Sequence, residues 1–380
     1  MRTNMKALLL LLPMAAIMAA CAADTHGTTL SGLHPDKFKA EVNGKPVSLY
    51  VLTGASGMEA CVTNYGGRLV SLMAHGRDGE MLDVVLGHDS IADYLKIDGN
   101  FGALIGRYGN RIKDGRFTLN GSAYTLPRND AGNCLHGGPA GFHHAVWDAT
   151  QPDDSTLVLN LASPDGDAGF PGNVDIRVTY TLRSDSALAI RYEATTDRPT
   201  VLNLTNHTYF NLSGHPENDI LSELVYINAD AYTPVDSGIM TTGQILPVED
   251  TPLDFRSPKP VGRDIAAGHP QLINGRGYDH NFVLATGGDI NTIAATVHDP
   301  ASGITMDVYT DQPGLQFYTG NFLDATVKGK KGIPYPRRAA ICLETQHYPD
   351  SPNNPQWPSV TLNPGEKYAT ATIYKFSTHD

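Results

Sequence analysis

The sequence predicts an all-β chain folded as one large antiparallel β-sandwich. Three observations carry that expectation: apolar residues recur with period two, helical periodicity is scarce, and turn-forming residues break the chain into short segments. The clearest alternation is Val174, Ile176, Val178, Tyr180 and Leu182 against Asp175, Arg177, Thr179 and Thr181. After a polar turn, Leu188, Ile190 and Tyr192 alternate with Ala189, Arg191 and Glu193. This is the pattern of a half-buried antiparallel hairpin, with one face on a core and the other toward water. The 38 glycines and 25 prolines are accounted for by the many turns such a chain needs.

At the N-terminus, Arg2 and Lys6 precede an apolar run from Ala7 to Ala20 that is short for a membrane span. Residues 1–21 therefore read as an export signal. Met18-Ala19-Ala20-Cys21 resembles a bacterial lipoprotein signal in which Cys21 becomes the acylated first residue, and Ala20-Cys21-Ala22 also fits ordinary small-x-small cleavage. The lipoprotein reading is preferred. It implies a periplasmic protein held to a membrane by lipid. Residues 22–34 read as a flexible lead and residues 35–380 as a single domain, because no linker, repeat or low-complexity block divides them. Asn43-Gly44 and Asn120-Gly121 sit between extended segments and predict hairpin turns. Ser90 to Leu95 allows a turn or two of helix. Once Cys21 is set aside, Cys61, Cys134 and Cys342 remain, an odd number without tight spacing that reads chiefly as buried thiols.

Composition narrows the function. A hydrophobic share of 41% supports a substantial core, and a charged share of 18% is too low for a disordered chain. The formal net charge of −12 argues against a nucleic-acid or anionic-membrane surface; a small neutral ligand fits it, and plain solubility is the better reading of the acidity itself. The chain contains no Gly-x-Ser-x-Gly elbow, P-loop, dinucleotide fingerprint or His-Glu-x-x-His motif.

Five segments carry polar side chains among glycines, asparagines and aromatics. Gly106-Arg107-Tyr108-Gly109-Asn110-Arg111-Ile112 offers arginine forks and an amide suited to hydroxyls. Asn133-Cys134-Leu135-His136-Gly137-Gly138 places a histidine in a pliable loop. His136 with His143 and His144 fits no common zinc spacing, so no metal is expected. Thr205-Asn206-His207-Thr208-Tyr209-Phe210-Asn211-Leu212 brings His207 out of an apolar run beside amides and an aromatic ring. Gly277-Tyr278-Asp279-His280-Asn281-Phe282 offers Asp279 as an acceptor for two adjacent hydroxyls, or as an Asx-turn. The last segment, Leu343-Glu344-Thr345-Gln346-His347-Tyr348-Pro349-Asp350, follows the apolar run 339–343 and is preceded by Gly314-Leu315-Gln316-Phe317-Tyr318-Thr319-Gly320-Asn321. A histidine and a glutamate brought into one cleft can move protons in opposite directions across a small substrate.

Taken in order, these blocks resemble the aldose 1-epimerase (galactose mutarotase) family over roughly residues 35 to 378. The resemblance implies a galactose mutarotase-like β-sandwich that interconverts the α and β anomers of free aldohexoses, such as glucose and galactose, without metal or cofactor. It implies Glu344 as general base and His207 as general acid, with their mutual attraction favouring carboxylate and imidazolium. Asn110, Arg111, His136, Tyr209, Asp279 and Gln316 would hold hydroxyls, with Arg107 as an alternative to Arg111. The partner is then a monosaccharide, and the protein a monomer or homodimer. Three other readings stand beside this one: a membrane-anchored carbohydrate-binding module, a glycoside hydrolase using Glu344 with Asp279, and a hexose-phosphate epimerase, which would need extra basic residues around the cleft and is disfavoured by the acidic balance. Trp147, Trp357 and the tyrosines are candidate stacking faces, with core packing the better expectation for each.

Overall fold

The computed structural model describes residues 27–97 and 99–379. Residues 1–21, read above as an export signal ending at Cys21, lie outside the described residues. Two antiparallel sheets dominate. The larger has nine strands in the spatial order Asp148–Asp153, Thr156–Ser163, Val174–Arg183, Ala187–Thr196, Tyr368–Thr378, Ile304–Thr310, Ile293–His298, Leu224–Ile227 and Lys259–Pro260. The smaller has five: Leu246–Pro247, Ala229–Thr233, Asp279–Leu284, Gly314–Tyr318 and Cys342–Gln346. A four-stranded sheet formed by Leu49–Thr53, Glu59–Thr63, Arg68–His75 and Met81–Asp83 packs beside them.

The alternating segment pairs as read from sequence. Val174–Arg183 lies against Ala187–Thr196 with Leu182 opposite Leu188, and Ile176, Val178, Tyr180, Ile190 and Tyr192 all enter one core. That core joins the sheets: Leu315, Phe317 and Leu343 of the five-stranded sheet share it with Val308, Tyr374 and Phe376 of the nine-stranded one. Burial of these apolar faces supplies the drive that holds the layers together. Both Asn-Gly pairs make tight hairpins. Asn43 and Gly44 have φ of 53° and 74°, and Asn120 and Gly121 have 49° and 80°, the positive pair that a type I′ turn requires. The short helix also forms, as Ile91–Lys96, with Ser90 accepting the Asp93 amide as its N-cap.

The lead departs from expectation at its C-terminal end. Leu33 is buried in a cluster with Phe38 and Tyr94, the Leu30 amide donates to Glu59 Oε1 at 2.8 Å, and Ser31 Oγ reaches Ser71 Oγ at 3.1 Å. From Thr29 onward the chain is therefore packed on the domain, because its alternate residues find apolar and hydroxyl partners. Cys61, Cys134 and Cys342 are buried free thiols. Among the described residues, no helix is long and apolar enough to cross a membrane.

Candidate active site

Strand alternation builds the floor of the site. Side chains on successive residues point to opposite faces, so in Cys342–Gln346 the core-facing Leu343 leaves Glu344 on the far face. Gln316 sits directly opposite Glu344, and Asn281 opposite Gln316, which lines up three polar residues across three strands. Asp279, two residues before Asn281, lies on the same face. Its Oδ1 accepts from Gln316 Nε2 at 2.7 Å. Gln346 Nε2 donates to Asn281 Oδ1 at 3.2 Å and Gln316 Oε1 at 3.4 Å, tying the row together.

A second layer brings the acid–base partner. Thr205–His207 pairs with Ala103–Ile105, His207 opposite Ala103, and Phe210 bridges to Ile341 next to the Glu344 strand. His207 Nε2 consequently lies 3.7 Å from Glu344 Oε1, with both side chains less than a tenth exposed. The His207 ring stacks on Tyr209 at 4.9 Å and meets His136 edge-on at 5.3 Å. Glu344 Oε2 is buried without a hydrogen-bond partner among the described residues. An orphan of this kind is costly unless a ligand supplies a donor.

The loop carrying His136 closes the third side. Asn110 and His136 both adopt left-handed φ, 62° and 54°. The Asn110 amide donates to His136 Nδ1 at 3.2 Å. A neutral imidazole that accepts at Nδ1 keeps its proton on Nε2. His136, His207 and Glu344 each offer a potential ligand atom within 4.8 Å of the others, yet with Nδ1 occupied by the Asn110 amide this tautomer makes His136 Nε2 a hydrogen-bond donor and unsuited to ligate a metal. Arg111 Nε donates to Asp130 Oδ2 at 2.8 Å, a partner that fixes the guanidinium from behind.

The resulting pocket, about 180 Å³, is lined by Asn110, Arg111, His136, His207, Tyr209, Asp279 and Glu344 of the sequence-derived set. Gln316 is not on the lining; it stands behind Asp279 and orients it. Arg107 is excluded from the site. Its buried guanidinium is consumed by the carbonyls of Ser163, Pro164, Pro171 and Gly172 and by Ser163 Oγ. Asp279 is a strand residue rather than an Asx-turn. Trp147 belongs to the core and Trp357 packs on Tyr348, while the aromatic surfaces of the pocket are Tyr209, Tyr318 and Phe322. Tyr318 and Phe322 lie within and just after the Gln316 motif and were open to inference. Asn100, also on the lining, carries no motif signal.

Burial controls the protonation of the pair. It lowers the His207 imidazole to about 4. It also pushes Glu344 well above the usual carboxylate range, helped by the nearby Asp279. Both directions run against the carboxylate and imidazolium expected from sequence and favour the neutral arrangement in the protein alone, with the proton on Glu344. Asp279 is itself raised by burial, while Arg111 and Gln316 pull it down.

Known proteins of similar sequence and fold identify the family. The family model described as aldose 1-epimerase matches residues 48–375. Galactose mutarotase from Rattus norvegicus is 45% identical over 316 residues, covering 83% of this chain and 90% of that protein. Aldose 1-epimerase from Escherichia coli K12 is 39% identical over 336 residues, covering 88% and 96%. Among solved structures, the aldose epimerase homologue from C. elegans superposes with a TM-score of 0.82 at 30% identity, covering 88% of this chain and all of that one. Galactose 1-epimerase from Lactobacillus acidophilus gives 0.79 at 30% identity, covering 90% and 98%. With the family model matching most of the chain, relatives 39–45% identical over more than four-fifths of it, and the fold shared, this chain belongs to the aldose 1-epimerase family.

Proposed function

We propose that this protein is an aldose 1-epimerase, an isomerase that opens and recloses the ring of a free aldohexose and so exchanges its α and β anomers. The observation that carries the reading is the His207–Glu344 pair, 3.7 Å apart in a buried pocket with Glu344 Oε2 unpartnered. Ring opening requires removal of the C1 hydroxyl proton as the ring oxygen gains one, because alkoxide and oxonium forms are both costly in isolation. In the protein alone the pair holds its single proton on Glu344. A C1 hydroxyl donating to Oε2 favours the carboxylate and moves that proton to His207. Glu344 then acts as base at C1 and His207 as acid at the ring oxygen. After rotation about C1–C2, the aldehyde recloses on its other face with the roles exchanged.

Asn110, Arg111, His136, Tyr209 and Asp279 serve as hydroxyl partners in this scheme, with Gln316 setting the rotamer of Asp279. The competing readings, a hydrolase or a non-catalytic sugar module, draw no support from the relatives reported above, whose names are those of epimerases. The test is polarimetry of freshly dissolved α-D-glucose and α-D-galactose. Wild type is expected to speed the approach to equilibrium, and Glu344→Gln and His207→Asn to lower the rate by about 10²–10⁴ each. A wild type that leaves the spontaneous curve unchanged would sink the assignment.

The same proposal extends to location. The charged and apolar residues before Met18-Ala19-Ala20-Cys21 support export and lipid attachment at Cys21. Mass spectrometry of the mature N-terminus should find diacylated Cys21; an unmodified N-terminus at Ala22 or Ala23 would reject the anchor.

A further inference from the structure

The pocket lining holds one amide side chain that the scheme above does not use, that of Asn100. It is half-buried, and among the described residues it makes no hydrogen bond to the protein. The backbone around it is held firmly. Arg68 Nη1 donates to the Gly99 carbonyl at 2.9 Å and to the Phe101 carbonyl at 3.2 Å, one on each side of Asn100. The Gly102 amide donates to the His207 carbonyl at 3.0 Å, and the Gly102 carbonyl accepts from the Leu69 amide and from Asn206 Nδ2, each at 2.9 Å. Gly102 has φ of 67°, and a Cβ there would lie 2.0 Å from the Leu69 carbonyl oxygen, so the chain passes tight against that strand. A free amide on a fixed backbone at a pocket wall is prepared to bind a hydroxyl.

Strand order fixes which part of the sugar that amide meets. Where the His207 segment continues, Phe210 bridges Ile341 on one edge and Val85 on the other. Ile341 leads into the strand of Glu344. The opposite edge is the one that Gly102 and Ala103 share, because the Val84 amide and the Gly102 carbonyl both bond to the strand Arg68–His75, at Leu72 and Leu69. His207 therefore stands between Glu344 and the segment carrying Asn100. A pyranose with its C1 hydroxyl on Glu344 and its ring oxygen on His207 presents, next in the same direction, C5 and its exocyclic C6 hydroxymethyl group. C2 leaves C1 by the other branch of the ring.

We infer that Asn100 is a specificity-determining residue of this pocket: its amide hydrogen-bonds the C6 hydroxyl and favours aldohexoses over aldopentoses and 6-deoxyhexoses. A sugar without that hydroxyl displaces water from the amide and returns no partner, which costs binding. The inference rests on the epimerase reading and names the part of the substrate that this position reads.

The test is anomer-exchange NMR on galactose, 2-deoxygalactose, 6-deoxygalactose and L-arabinose, the last being galactose without C6. It uses wild type, Asn100→Ala and the nearly isosteric Asn100→Leu. In wild type, KM should be about fivefold lower for galactose than for 6-deoxygalactose, the scale of one neutral hydrogen bond. In both variants kcat/KM for galactose and 2-deoxygalactose should fall about fivefold through KM, with kcat within about twofold. Toward 6-deoxygalactose and L-arabinose the variants should match wild type within about twofold. An equal loss on all four sugars would make Asn100 merely structural and overturn the inference. A loss spared only by 2-deoxygalactose would place the amide at C2 and overturn it as well, as would no loss on any sugar. If wild type leaves galactose at its spontaneous rate, the epimerase reading fails separately. Calorimetry then decides the contact: wild type must bind galactose about fivefold more tightly than 6-deoxygalactose, with the difference abolished in both variants, and equal affinities in wild type reject it.

Discussion

His136 illustrates how a backbone contact assigns a chemical role to a side chain. The Asn110 amide occupies Nδ1, so the ring can only donate into the pocket. Nothing in Asn133 to Gly138 foretells that bond. Protonation of the His207–Glu344 pair leads to a pH prediction at the same scale. The working pair holds one proton: a second arrives on His207 near about 4, and the first leaves Glu344 only above the usual carboxylate range. A plot of kcat/KM against pH should therefore be bell-shaped, rising through about 4 and falling on the alkaline side; monotonic decline with rising pH from 3.5 would contradict it. Asp130 makes a further case. It holds Arg111 from behind while being 31% exposed itself, so Asp130→Asn should cost about 1 kcal/mol of binding, a rise of about fivefold in KM with kcat little changed. Steady-state kinetics on galactose would show this, and a fall in kcat at constant KM would assign Asp130 a different role.

At the scale of elements, period two was both the most legible signal and the one that built the site. Alternation in Gly314–Tyr318 and Cys342–Gln346 sends Leu315, Phe317 and Leu343 to the core and leaves Gln316 and Glu344 on the other face. Which strands pair could not be read in the same way, because antiparallel partners far apart in sequence leave no local mark. The loop before the His136 glycines shows another limit. Gly137 has φ of 81°, and a Cβ there would lie 2.1 Å from the Gly106 carbonyl oxygen. Gly137→Ala should thus destabilise the protein by about 2–4 kcal/mol through left-handed strain and collision. It should also reduce activity, since the displaced Gly106 backbone leads directly to Asn110 and Arg111. Urea denaturation with parallel polarimetry would check both; unchanged stability would mean that the loop relaxes freely.

Across the whole molecule, burial of titratable groups sets the pH range of stability. His143 and His280 are lowered to about 3 and His347 to about 4, in each case chiefly by burial. A histidine depressed in the folded state contributes fully above its ordinary 6.5, and that contribution is lost as pH falls. Glu223, Glu344 and Asp279 are raised by burial and act in the opposite sense, contributing below the ordinary carboxylate value and losing ground as pH rises. Each group contributes up to about 1.4 kcal/mol per pH unit within its window. The opposing slopes overlap between about 4.5 and 6.5, so Tm measured by calorimetry should peak in that interval and decline on either side. A Tm still climbing at pH 8 would show that the buried carboxylates are not neutral in the fold.

By itself the sequence determined the strand class, the tight Asn-Gly hairpins, a turn or two of helix around Ser90 to Leu95 and the identity of the polar blocks, because these depend on neighbours within a few residues. Tertiary structure alone decided that Arg111 enters the pocket while Arg107 is spent on carbonyls, and that Gln316 serves Asp279 from behind. It alone packed Thr29 to Leu33 onto the domain. Burial and direction are properties of the packed sheets. Two arginines four positions apart carry the same chemistry until the fold gives one a cavity and the other a ring of backbone oxygens.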